Sequence, residues 1–95
     1  MKLSKEEIYE RMSALSEWVV AGEKLHREYK FPSFGLAIGF IAASAPSIEK
    51  MDHHPEWSNV YNRVTVDLTS HDVGGITERD VHLAHVLEGI ALKLL

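Results

Sequence analysis

Two stretches of strict alternation constrain this chain more than anything else in it. Val64, Val66 and Leu68 are interleaved with Arg63, Thr65, Asp67 and Thr69, and Leu25, Arg27, Tyr29 and Phe31 are interleaved with His26, Glu28 and Lys30. Successive side chains on a strand point to opposite faces, so each stretch predicts a strand with one face toward the core and one toward water. A sheet that is wet on one side leaves only its other side for helices. Each strand also has a partner in sequence. Trp18 and Val20 precede Gly22-Glu23, where glycine at the first central position of a two-residue turn suits a type II′ hairpin. After the HHPEW loop, Val60 begins the other extended stretch, with the strands turning at Asn62-Arg63.

Three segments carry helical signals instead. Ser4-Lys5-Glu6-Glu7 is a capping-box pattern with Leu3 and Ile8 placed as a hydrophobic staple, and Ile8, Met12 and Leu15 form one stripe of a helix ending near Ser13 to Ser16. Ser33, after Pro32, caps a helix from Phe34 to about Met51. Past the loop His71 to Gly75, Thr77 is the N-cap and Asp80 the N3 residue of a last helix. Ile76 and Val81 form its staple, and Val81, Ala84, Leu87, Ala91 and Leu94 its buried stripe. The expected fold is therefore α+β, in the order α-β-β-α-β-β-α. It is a four-stranded antiparallel sheet with three helices packed on one face, one domain spanning residues 1–95.

The second helix is unusual, because FGLAIGFIAASA is apolar or small on every side. A helix of that kind needs cover all round, which a 95-residue chain with one thin sheet does not supply, so a subunit interface is expected there. Pro46 falls inside it and predicts a kink near Ala42 to Pro46, or two shorter helices.

Charge and composition then exclude several function classes. Fourteen acidic against ten basic residues give a net charge of -4, which argues against direct binding of a phosphate backbone. No stretch reaches the roughly 18 apolar residues of a membrane span, and MKLSKEEIYERM lacks the apolar run of a secretion signal. The expected setting is cytoplasmic, with the nucleus also open in a eukaryote. The absence of cysteine removes disulfides and thiol catalysis.

What remains is histidine. His53-His54-Pro55 follows the second helix, and His71 follows the strand that begins near Arg63. If the two strands pair as a hairpin, the start of one lies beside the end of the other. Three imidazoles then share one pocket. A ring with an unperturbed pKa of roughly 6.5 can donate a proton while another accepts one, which suits a dehydration. Glu49, one turn before His53, and Asp52 could orient the rings or hold one charged. A metal site is disfavoured, because adjacent side chains in an extended segment diverge and no cysteine assists. His82 and His85, three apart on the last helix, could form a metal pair but are read with His26 as structural. Trp57 is either a flat wall for a ring substrate or a core aromatic, and Asp80 is first a helix cap, with a second reading as an anchor for the Gly74-Gly75 loop.

Taken together, Glu49 to Trp57 (EKMDHHPEW), Asn59 to Val64 (NVYNRV), Thr69-Ser70-His71-Asp72, Gly74 to Thr77 and Asp80 closely resemble the pterin-4a-carbinolamine dehydratases. That family is also known as the dimerisation cofactor of a homeodomain transcription factor. The resemblance covers nearly the whole chain and is most specific between Glu49 and Asp80. It implies removal of water from 4a-hydroxytetrahydropterin to give the quinonoid dihydropterin, in tetrahydrobiopterin recycling after aromatic amino-acid hydroxylation. It implies no metal and no organic cofactor. His53, His54 and His71 would surround the pterin, with His53 and His71 exchanging protons at the 4a-hydroxyl and N5 and His54 orienting the ring. Asp52, Thr69, Ser70 and Asp72 would edge the substrate, Glu49 would support the histidines, and Trp57 and Asp80 would shape the site. Implied partners are the pterin, a second copy in a homodimer through sheet edges or a homotetramer through the second helix, and an aromatic amino-acid hydroxylase. The alternative is a non-catalytic binding module, a transcriptional coactivator or hydroxylase partner. A purely structural oligomerisation module leaves the histidines unexplained.

Overall fold

The computed structural model describes residues 1–95 and places seven elements in the expected order. They are α1 (Lys5–Arg11), β1 (Val19–Ala21), β2 (Lys24–Lys30), α2 (Phe34–Met51), β3 (Glu56–Val60), β4 (Arg63–Leu68) and α3 (Glu78–Ala91). The four strands form one antiparallel sheet in the order β1-β2-β4-β3. Leu25 lies opposite Leu68, Tyr29 opposite Val64, and Trp57 opposite Val66, so these side chains share the face on which the helices pack. His26, Asp67 and Glu56 form a row on the opposite, wet face. The fold class read from the sequence is the fold observed.

Both predicted capping boxes are present, Ser4 with Glu7 on α1 and Thr77 with Asp80 on α3. Ser33 caps α2 by accepting from the Leu36 N–H at 3.1 Å. Gly22 has φ +63° while Glu23 keeps an ordinary negative φ, as a type II′ turn requires. The core holds an aromatic chain in which Phe40 lies 5.0 Å from Tyr29, 5.2 Å from Phe31 and 6.2 Å from Trp57, between ring centroids. Arg27 also points inward. Its guanidinium lies over the Tyr29 ring at 4.1 Å and beside Glu88 of α3, whose carboxylate accepts from the Tyr29 hydroxyl at 2.6 Å and the Trp18 indole at 2.9 Å.

Three boundaries differ from expectation. First, α1 ends at Arg11, before Ser13, whose hydroxyl donates to the Glu10 carbonyl and competes with continued helix. Second, β3 begins at Glu56 and ends at Val60, where an extended stretch was expected to begin. Pro55 already drives His54 into an extended backbone, so the strand starts directly after it. Third, the hairpin turns at Tyr61-Asn62, one residue earlier than expected. Tyr61 takes φ +52°, and the Asn59 amide donates to the carbonyls of Tyr61 and Arg63 at 3.0 and 2.9 Å, which holds the turn in that register. Pro46 does not divide α2 into two helices. Pro46 and Ala42, whose carbonyl loses its usual donor, both lie on the exposed side, where water can serve that carbonyl. The buried side of α2 is Ala37, Phe40, Ser44 and Ile48, and Phe34 and Ile38 are left in solvent at 50% and 41% exposure.

Candidate active site

Register settles where the histidines converge. Glu56, first in β3, lies opposite Asp67 near the end of β4, so the His53-His54-Pro55 approach and the His71 exit meet at one end of the hairpin. The backbone turns needed for this are local. Asp52, the residue after α2, adopts the left-handed conformation (φ 50°, ψ 43°) with its N–H bonded to the Glu49 carbonyl, which reverses the chain into His53. On the other side Ser70 pairs with Gly75, closing a loop of four residues from His71 to Gly74 in which Gly74 carries φ +67°.

His53 and His71 are held by different carboxylates, and no hydrogen bond links any two of the three rings. His53 turns inward and is buried, with Nε2 2.5 Å from Asp80 Oδ1. Asp80 is wholly buried, and its other oxygen accepts from the Thr77 N–H at 2.9 Å and the Ser70 hydroxyl at 2.8 Å. A carboxylate is acceptor-only, so it fixes the proton of His53 on Nε2 and leaves Nδ1 as the free ring nitrogen. His71 turns the other way, 78% exposed, with Nε2 2.9 Å from Glu56 Oε2. The second oxygen of Glu56 meets Lys24 Nζ at 2.5 Å. Lys24, then His71, hold the Glu56 carboxyl below the usual carboxylate range, and the Lys24 ammonium is raised in turn. His54 is exposed and makes no hydrogen bond, free to meet a ligand.

The other expected residues fall around these rings. Thr69 is buried and donates its hydroxyl to the Glu23 carbonyl at 2.8 Å, tying the loop base to the β1–β2 turn. Ser70 is buried between Asp80 and Thr77 Oγ1. Asp72 is exposed and bound by Arg79 at 2.7 Å, which holds its carboxyl low. Trp57 is half-buried and nearly perpendicular to the Phe40 ring, at 70°, which makes it a core aromatic with an open side. Glu49 lies exposed on the last turn of α2 without a polar contact, so the support expected from it is supplied by Asp80 for His53 and by Glu56 for His71. Reasoning from sequence did not single out Glu56, Lys24 or Arg79. For Glu56 a signal existed, since an inward Trp57 forces its neighbour to the wet face, beside the start of the His71 loop.

The remaining histidines lie apart. His26 is on the wet face between Asp67 Oδ1 at 2.8 Å and Glu28 Oε2 at 3.3 Å, and its pKa is raised chiefly by the bond to Asp67. His85 donates to the Arg11 carbonyl, and His82 is exposed. No group of three or more His, Asp or Glu side chains is arranged to hold a metal ion. No helix is long and apolar enough to cross a membrane.

Comparison with known proteins gives concordant results. A family model described as pterin 4 alpha carbinolamine dehydratase matches residues 1–90. A protein of Solibacter usitatus provisionally named pterin-4-alpha-carbinolamine dehydratase is 54% identical over 90 residues, covering 95% of each chain. One of Chelativorans, with the same provisional name, is 46% identical over 94 residues, covering 97% of this chain and 96% of its own. The crystal structure of a transcriptional coactivator/pterin dehydratase from Brucella melitensis superposes with a TM-score of 0.90 at 43% identity, over 96% of this chain and 99% of the other. A pterin dehydratase-like RuBisCO assembly factor of the alpha-carboxysome shares the fold, with a TM-score of 0.65 at 19% identity over 78% of this chain and 86% of its own.

Proposed function

The chain belongs to the pterin 4 alpha carbinolamine dehydratase family, and we propose that it dehydrates 4a-hydroxytetrahydropterin by histidine acid-base catalysis. The observation that carries this reading is the pairing of two histidines, His53 and His71, each held by a carboxylate at Nε2 and each leaving Nδ1 free, at one end of one hairpin. In the reaction the ring that serves as acid starts doubly protonated and gives its Nδ1 proton to the 4a-hydroxyl, the C4a–O bond breaks and water leaves. The N5 lone pair forms the C4a–N5 double bond, and the second ring takes the N5 proton. Protons balance between the two rings, so no redox partner is needed. His54, exposed and unbonded, orients the pterin, and Trp57 lends the open side of its ring. Asp52, Thr69, Ser70 and Asp72 border the substrate, Asp80 fixes His53, and Glu49 stays at the margin. The reaction serves tetrahydrobiopterin recycling beside an aromatic amino-acid hydroxylase in the cytoplasm, with no added metal or cofactor.

Self-association through the exposed side of α2, as a dimer or tetramer, belongs to the same proposal, because Phe34 and Ile38 lie open there. That open side also favours a second reading, a binding module, and the Brucella relative is described as a coactivator as well as a dehydratase. Stopped-flow absorbance separates the two. With 4a-hydroxytetrahydropterin generated in situ by a hydroxylase, wild type should accelerate its decay, and His53→Ala and His71→Ala should each lose roughly 10²–10⁴-fold of that acceleration. His71→Ala turning over at the wild-type rate would refute the assigned role, and no acceleration by wild type would move the weight to the binding module.

A further inference from the structure

We propose that Glu56, clamped by Lys24, is the positioning residue for His71. This deepens the dehydratase reading and rests on it for its catalytic meaning. The geometry carries it. His71 is mostly in solvent, so packing does not hold its ring, and the bond from Nε2 to Glu56 is the one hydrogen bond its side chain makes. Glu56 itself is well anchored. As the first residue of β3 it is fixed by its pairing with Asp67, and its two oxygens are divided between Lys24 and His71.

Lys24 begins β2, and β4 runs between β2 and β3. To reach Glu56 its side chain passes over the end of β4, where Thr69 and Ser70 lead into the His71 loop. The loop is therefore pinned twice. Ser70 is held from inside by Asp80, and His71 from outside by Glu56. Because Glu56 stays ionised and accepts only, the His71 proton sits on Nε2, and Nδ1 is the atom that meets substrate. Positioning of a reacting group is worth a sizeable part of its effect, since a displacement of about 1 Å can cost up to ~10²-fold.

The test compares Glu56→Ala, Glu56→Gln, Lys24→Met and the double variant Glu56→Ala/His71→Ala with wild type, using decay of 4a-hydroxytetrahydropterin and NMR of the His71 ring. Glutamine has a single acceptor oxygen, which the donor-only Lys24 takes, so in Glu56→Gln the NH2 faces His71 and moves its proton to Nδ1. The ring stays held, but kcat should fall at least as far as the roughly tenfold expected for Glu56→Ala, with KM little changed in both. Lys24→Met should lose less than either. The double variant should be no slower than His71→Ala alone, because Glu56 acts through that ring. In NMR, His71 should hold one side-chain rotamer with cross-peaks to Glu56 in wild type and Glu56→Gln, and should average among rotamers in Glu56→Ala. Wild-type kcat in Glu56→Ala, additive losses in the double variant, or a freely rotating His71 in wild type would each overturn the proposal. A wild type without dehydratase activity would refute the functional reading separately, and the NMR arm would then decide alone whether Glu56 positions His71.

Discussion

Replacing Asp80 tests the buried half of the site, and its cost follows from the contacts. In Asp80→Ala the Thr77 N–H loses its cap, worth about 1 kcal/mol. The buried His53 Nε2–H loses its acceptor, worth roughly 1–3 kcal/mol. The Ser70 hydroxyl still has Thr77 Oγ1 at 2.8 Å and adds little. The expected loss is about 2–4 kcal/mol, a large share of the roughly 5–14 kcal/mol total for a chain of this length. At about 4–8 °C per kcal/mol, Tm should fall by ~10–30 °C. Asp80→Asn separates stability from chemistry. Its oxygen can keep the cap, but its NH2 must then face His53 and can only donate, so the ring has to move its proton to Nδ1. Nδ1 then can no longer accept, and kcat should fall by roughly 10²–10⁴-fold while most of the stability remains. Urea unfolding of both variants, run in a double-mutant cycle with His53→Ala, measures the coupling directly. An Asp80→Asn enzyme at wild-type kcat, or an Asp80→Ala protein destabilised by less than about 1 kcal/mol, would refute the reasoning.

Phe40→Ala empties the centre of the aromatic chain, where Phe40 is wholly buried, and should cost about 3–5 kcal/mol in urea denaturation; a loss below about 2 would mean that Tyr29, Phe31 and Trp57 collapse into the space. His26 has its folded pKa raised by Asp67, so the stability it contributes is fully present below its unfolded pKa of roughly 6.5 and is lost as pH rises through the folded value. The stability gap between wild type and His26→Gln should therefore narrow from pH 5.5 to pH 8.5, and a gap that widens would reverse the assignment. Ile38→Asp, on the exposed side of α2, should shift the protein to a smaller species in light scattering without changing its circular dichroism; an unchanged mass would place self-association elsewhere.

Much of the fold was legible because its causes are local in the chain. Ser4, Ser33 and Thr77 each cap a helix within three residues, Gly22 sets one hairpin turn, and the alternation through Val64, Val66 and Leu68 decides which face is wet. Where signals competed, the reading slipped. Trp57 and Asn59 alternate too briefly to announce β3, and the turn at Tyr61-Asn62 depends on the Asn59 amide bridging two carbonyls, which no pattern of hydrophobicity records.

The same division runs through the site. From sequence alone came the set of histidines, their meeting at one hairpin end, and the cap at Asp80, because strand pairing and capping are dictated by neighbours in the chain. Only the tertiary structure decided which way each ring turns. His53 faces α3 and finds Asp80 twenty-seven positions away, His71 faces the wet side and finds Glu56 fifteen positions away, and Glu49 finds neither. A hydrogen bond between side chains depends on distance in space to within a few tenths of an ångström, and no periodicity along a chain encodes that.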